Sequence, residues 1–447
     1  MGFESDVNGR QIVTKIAFIG AGSVVFAKEL LFDILSFTEL SGATISLMDI
    51  DPKRLGIIEK VAVKLVSQEK FGAKIETTLD RREAVKGADF VLSMFQAGMM
   101  EATEHDINIP LKYGVKQAVG DTLGPGGVFR LLRSAAVLKG LVRDMEELCP
   151  NALLLNYVNP MAMNCWYIDR ISGIKYVGLC HSVQHTSEWL ALIIGAPYNE
   201  ISFKCAGINH MAWFIEFKWN GKDAYPLIRE RGRNPDLYKF DVTKFEILKH
   251  FGYFVTESSH HMSEYVPYFR KSDEWIERIH KDANWNKKGV YNGMYLEQCK
   301  EMAQYFDEEA KKMLGAEKLE LKRGQEYGAY IINSAVTGAP AVIHGNVRNR
   351  GFITNLPDGC CVEVPCLVNK NGVQPTYVGD LPAQLAALNR TNINVQELAV
   401  EGAVTGNRDA IYQAVMMDPL TSAVLTLPDI HNMVTDMFEA EKGWIEI

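Results

Sequence analysis

The chain has no apolar run as long as a membrane span, no block of basic residues, no low-complexity segment and no internal repeat. The first absence excludes a transmembrane helix, which needs about 20 consecutive apolar residues. With 47 Lys and Arg against 55 Asp and Glu, a net charge of -8 gives no electrostatic footprint for nucleic acid or an anionic membrane. The eight cysteines, at 149, 165, 180, 205, 299, 360, 361 and 366, lack the short regular spacing of a disulfide framework. The first residues, MGFESDVNGRQIVTK, carry acids and no apolar core of signal-peptide length. Together these points predict a cytoplasmic protein whose cysteines are thiols, most of them small buried side chains.

What is present starts with Lys15 to Asp49. Ile16-Ala17-Phe18-Ile19 is short and apolar enough for a buried strand, and Gly20-Ala21-Gly22-Ser23 leads into helical spacing at Ala27, Leu30, Leu31, Ile34 and Leu35. A second apolar run, Thr44 to Met48, ends on Asp49. Glycines let a backbone approach a pyrophosphate, a helix N-terminus offers unpaired N–H groups, and an acid after the second strand binds ribose hydroxyls. Gly20, Gly22, Ser23 and Asp49 are therefore candidate cofactor residues, and the acid favours NAD over NADP. The third glycine of the usual fingerprint is replaced by Val25, so the glycine pair alone is also compatible with an ordinary turn.

Further strands at Lys74 to Thr78, Ala88 to Met94, Leu153 to Tyr157 and Tyr176 to Leu179 alternate with helical patterns. This alternation predicts a Rossmann-like, doubly wound parallel sheet over residues 1–195, with ligands beyond the carboxyl ends of the strands. Residues 196–447 lose it and read as an α+β substrate and oligomerisation domain; 447 residues exceed one ordinary core. Gly114 to Arg130 holds too many glycines for a helix and reads as a loop at the ligand edge, followed by a helix from about Leu131 to Glu147. Asn159 precedes a proline, which holds it extended at a strand end.

Cys180 ends a predicted strand, and His210 lies in an Asn209-His210 turn between two others. A thiolate and an imidazole can share a divalent ion with coordination positions left for a substrate. Their spacing matches no recognised zinc pattern, and on spacing alone two core side chains are the simpler reading. Asp121, His181 and Tyr265 could move protons, or could equally cap a turn, sit satisfied in the interior and pack under a loop. Cys360-Cys361 and Cys366 lack C-x-x-C spacing and read as a strand.

Ten segments taken together resemble family 4 of the glycoside hydrolases, the NAD- and metal-dependent glycosidases, most closely its α-galactosidase branch. They are IGAGS (19–23), LMDIDPKRL (47–55), GDTLGPGGVFRLLR (120–133), LNYVNPMAMN (155–164), GLCHSVQ (178–184), CAGINHMAWF (205–214), GYFVTESS (252–259), EYVPYF (264–269), NLPDGCCVEV (355–364) and TNINVQ (391–396). The resemblance implies Cys180 and His210 as metal ligands, with Mn²⁺ or another divalent ion, and Asn159 and Asn209 as sugar contacts. It implies His181, with Asp121 as a second candidate, as proton donor, and Tyr265, with Tyr268 as fallback, as proton acceptor.

Its implied chemistry departs from the two-carboxylate route of ordinary glycosidases. NAD oxidises carbon 3 of the galactosyl ring, the proton on carbon 2 becomes acidic and is removed, the aglycone leaves, water adds, and the hydride returns. A homodimer or homotetramer acting on small α-galactosides such as melibiose is expected. A 6-phospho-α-glycosidase or α-glucosidase shares this machinery. An NAD-dependent 2-hydroxy acid dehydrogenase would share only the cofactor half, and a non-catalytic NAD-binding sensor would leave the Cys/His pair without a role.

Overall fold

The computed structural model describes residues 13–282, 291–319 and 322–447. Strands β1 (Lys15–Ile19), β2 (Thr44–Met48), β3 (Lys74–Thr78), β4 (Phe90–Ser93), β5 (Leu153–Asn156) and β6 (Lys175–Gly178) pair in parallel in the order β3-β2-β1-β4-β5-β6. This is the doubly wound order, with the switch point between β1 and β4. The central strands are apolar throughout because helices cover both faces: β1 buries Ile16 to Ile19, and β4 buries all four of its residues.

The sheet continues past β6. From the second half come β7 (Ile201–Ile208), β8 (Met211–Trp219), β9 (Lys222–Asp223), β10 (Ala341–Arg348), β11 (Cys361–Asn369) and β12 (Gly372–Pro375). The order runs on as β6-β10-β11-β7-β8-β9, with β12 on β11, all antiparallel. Parallel and antiparallel parts meet in one row of four residues, Gly178, Asn346, Glu363 and Gly207, each partnered with the next. Glycine is needed at the first of these: a Cβ on Gly178 would lie 2.4 Å from Cys165 Sγ and 2.9 Å from Asn346 Cβ. Cys360, Cys361 and Cys366 are buried thiols on and beside β11.

One expectation is corrected. The glycine-rich loop stops sooner, and the helix it was to precede runs Gly124–Leu148. Pro125 suits a first turn, where its missing N–H costs nothing. Gly126 and Gly127 serve close packing there: Cβ atoms on them would meet Gly120 O at 2.3 Å and Thr122 C at 2.6 Å. The glycines thus press the helix onto its own entry loop.

Helix Ala383–Thr405 packs on helices Met161–Ile171 and Gly124–Leu148, and helix Leu427–Glu441 lies on Met99–Lys112. Asn389 clamps the first of these to β8, accepting from Trp213 Nε1 at 2.9 Å and donating to Met211 O at 2.8 Å. Buried Arg133 bonds both Asp106 and Glu441, tying the C-terminal helix to the sheet's helical layer. Among the described residues no helix is long and apolar enough to cross a membrane.

Candidate active site

β1 delivers Gly20 in a left-handed conformation (φ 91°), where a Cβ would stand 2.9 Å from Phe95 Cα. The N–H groups of Gly20 and Ala21 both donate to Met48 O, at 3.0 and 2.9 Å, so the turn is stitched to the end of β2. Asp49 completes it: Oδ2 accepts from Gly22 N–H at 2.8 Å and Oδ1 from Asp51 N–H at 2.9 Å. Each carboxylate oxygen keeps a second acceptor position, which is what a ribose hydroxyl would need. Ser23 precedes helix Val24–Leu35 and makes no side-chain capping bond. The helix dipole and N–H groups therefore face the turn, the arrangement that accepts a phosphate.

Across the carboxyl edge, Cys180 follows β6, and His210 occupies the β7–β8 turn with φ 61°. A third group joins them. Residues 254–256 run antiparallel to β8, with Phe214 N–H on Phe254 O at 3.0 Å and Thr256 N–H on Ala212 O at 2.9 Å. That pairing places Glu257 beside the turn. Its Oε2 lies 3.7 Å from His210 Nε2 and 3.9 Å from Cys180 Sγ, and one donor atom from each residue falls within 4.8 Å of the others. A thiolate, an imidazole and a carboxylate form a mixed donor set suited to a divalent transition metal.

Charge is arranged tightly here. His261 bridges Asp121 Oδ1 at 3.3 Å and Glu257 Oε1 at 3.5 Å, its ring 4.2 Å from that of His210. Burial opposes charge on His261, but the hydrogen bonds and charges of Asp121 and Glu257 outweigh it and push its pKa up to about 10. Burial first, then the charge of His261, lowers His210 to about 4, so its ring is a neutral donor. Burial, with the nearby Glu257 and Glu363 carboxylates, pushes the Cys180 thiol up. Burial would likewise raise Asp121 and Glu257, yet the histidines hold both well below the usual carboxylate range.

The structure brings Asn159 to the same place, its Nδ2 donating to Asp121 Oδ2 at 3.0 Å and its O accepting from Arg130 Nε at 3.3 Å. Glu264 grips the loop that carries Asp121, accepting from the N–H groups of Ala118, Val119 and Gly120 at 2.8 to 3.3 Å. Tyr265 is buried, its ring 6.2 Å from His210 and its hydroxyl donating to Thr122 Oγ1 at 2.9 Å. A base role needs a lowered tyrosine pKa; burial raises it well above 10.0, the Thr122 hydrogen bond opposes this, and the Asp121 and Glu264 charges add to the rise. Asn209 is buried, and its Nδ2 has no partner among the described residues.

Tyr268 is not brought in. It is 46% exposed, with its ring beside Phe251 and Phe269. His181 stands next to the cysteine but bonds Glu326. Sequence reasoning missed Glu257, His261 and Glu326. Glu257 did lie in a quoted segment, GYFVTESS, as its one acid. A cleft beside the cluster is lined by Ser182, His185, Trp189, Phe240, Lys244 and Glu257, among others.

Comparison with known proteins agrees along the chain. Residues 15–196 match the family described as "Family 4 glycosyl hydrolase", and residues 205–421 its C-terminal domain. An α-galactosidase of Bacillus subtilis (strain 168) is 41% identical over 435 residues, 96% of this chain and 99% of the relative. One from Rhizobium meliloti (strain 1021) is 36% identical, over 96% of this chain and 89% of the relative. A 6-phospho-α-glucosidase from gut microorganisms, solved with NAD and Mn²⁺, shares the fold at TM-score 0.80 and 21% identity, covering 97% of this chain and 99% of that one. A 6-phospho-β-glucosidase from Thermotoga maritima, solved with manganese, NAD⁺ and glucose-6-phosphate, does so at TM-score 0.80 and 21% identity, over 97% and 100%. With both halves matched and relatives of this identity along nearly the whole length, the chain belongs to family 4 of the glycosyl hydrolases.

Proposed function

We propose that the chain is an NAD- and divalent-metal-dependent α-galactosidase that hydrolyses terminal α-galactosides such as melibiose. The observation that carries this is the convergence of Cys180, His210 and Glu257 beside Asp121, Asn159 and Tyr265, at the edge the glycine turn also serves. Two relatives at 41% and 36% identity are α-galactosidases. Membership of a hydrolase family leaves the hydroxy acid dehydrogenase and the sensor without support.

Gly20, Gly22 and Ser23 would hold the NAD pyrophosphate and Asp49 a ribose, while Cys180, His210 and Glu257 would hold the metal, Mn²⁺ as first choice. When bound, NAD supplies a hydride carrier for carbon 3 and the metal a Lewis acid for the neighbouring sugar oxygens. The protein's own residues do the rest. Asn159 and Asn209 orient hydroxyls, Tyr265 takes the carbon 2 proton once a cation beside it offsets the burial that holds its pKa up, and His181 protonates the leaving oxygen, with Asp121 the alternative donor.

A neutral sugar is favoured over a 6-phosphate by the cleft itself. Lys244 is the one Lys or Arg among its described lining residues, and Asp241 pairs with it at 2.7 Å. A homodimer or homotetramer in the cytoplasm belongs to the same proposal.

The test is nitrophenyl α-galactoside hydrolysis by reduced, desalted protein, with NAD and Mn²⁺ added separately and together while NADH absorbance is followed. Release that needs both, with no NADH building up, is expected. NADH accumulating without cleavage, or cleavage needing neither addition, overturns the proposal.

A further inference from the structure

Glu326 comes from a segment far along the chain, yet its Oε1 is hydrogen-bonded to His181 Nε2. It stands at the start of helix Tyr327–Thr337, where a carboxylate would ordinarily cap the helix, and makes no such bond. The segment is pinned on three sides instead. Gln184 Nε2 donates to Gln325 O at 2.6 Å, Gly324 N–H to Asp33 Oδ1 at 2.6 Å, and Gly328 N–H to the Tyr157 hydroxyl at 3.0 Å.

The His181 ring is held as firmly. Phe26 meets it edge-on at 5.9 Å, Tyr157 lies at 6.5 Å, and His185 stacks on it at 5.5 Å. Its Nδ1 has no hydrogen-bond partner among the described residues, and the side chain is 38% exposed. One edge of the ring is therefore fixed and the other is open.

We propose that Glu326 is a positioning residue: by accepting from Nε2–H it fixes the orientation of the His181 ring, so that the protonated ring carries its transferable proton on the open Nδ1 for the glycosidic oxygen and is left, after giving it, as the Nε2–H tautomer. The inference rests on the reading of His181 as proton donor. Such a donor matters most when the leaving group is a poor one, because a good one departs without help.

The experiment compares Glu326→Gln and Glu326→Ala with the unaltered chain on melibiose and on dinitrophenyl α-galactoside, and records histidine ring ¹⁵N shifts. Glu326→Ala should lose at least about tenfold more kcat/KM on melibiose than on the dinitrophenyl substrate, while Glu326→Gln, whose amide oxygen still accepts from Nε2–H, should keep the thermal midpoint and lose less. The difference should fall on kcat, with KM little moved, and in Glu326→Ala the His181 signals should leave the Nε2–H tautomer. Equal losses on both substrates, or unchanged His181 signals, overturn the proposal. If the unaltered chain cleaves neither galactoside, the activity reading has failed, and the ring shifts alone still decide whether Glu326 sets the tautomer.

Discussion

Cys180 and His210 were legible as residues because each sits next to punctuation that sequence displays: a strand end before one, an Asn-His turn around the other. Glu257 was not, because it reaches the cluster through backbone pairing of residues 254–256 with β8, and nothing in GYFVTESS marks that partner. The local conformation carries the cost: His210 and Glu257 both hold positive φ, 61° and 68°, in side chains that rarely adopt it. If the three residues hold the metal, Cys180→Ser should weaken Mn²⁺ binding by at least about tenfold, the scale seen even for partners outside the coordination sphere. Titration calorimetry with Mn²⁺ alone checks this, and unchanged affinity would remove Cys180 from the site.

At the level of elements, strands were read more surely than helices. Short apolar runs flanked by turns located β1, β2, β4 and β5, and the Asn209-His210 turn located β7 and β8. The helix Gly124–Leu148 was cut short because its first turn is written in glycines, which signal a break when read without their packing partners. The C-terminal helix Leu427–Glu441 brings Glu441 into a buried charge cluster with two helices of the first half. Arg133 holds Asp106 and Glu441 together, and one positive charge cannot fully stabilise two buried carboxylates. Burial, with the charge of Asp106, raises Glu441 from 4.5 to about 8. The folded state then keeps a proton that the unfolded state has released, so stability is full below 4.5 and falls as pH rises through about 8. Glu441→Gln cannot ionise and still accepts from Arg133. Its thermal midpoint should therefore decline less than that of the unaltered chain between about pH 5 and about pH 8. Parallel slopes in differential scanning fluorimetry would show that Glu441 does not carry the titration.

At the scale of the molecule, composition and alternation were enough for the class of fold but silent on how its halves join. Within the sheet the joint is a single pairing, Gly178 with Asn346, and so sparse a contact leaves no periodic trace. One sheet nevertheless passes through it, and β6 would present a bare edge without β10. The described chain should accordingly unfold in one calorimetric transition with matching calorimetric and van't Hoff enthalpies. Two resolved transitions would mean that the joint breaks first and that each half stands alone.

The same joint sets a timetable. Synthesis proceeds from the N-terminus, so Cys180 and His210 are made long before Ala341–Arg348 and Cys361–Asn369, the two strands that must be threaded between theirs. A nascent chain that has passed Glu257 already owns all three donor groups but lacks the two strands that complete the sheet between Cys180 and His210. If these three residues hold the metal, its full donor set is a property of the finished sheet, because until then only His210 and Glu257 are brought together, by the pairing of residues 254–256 with β8.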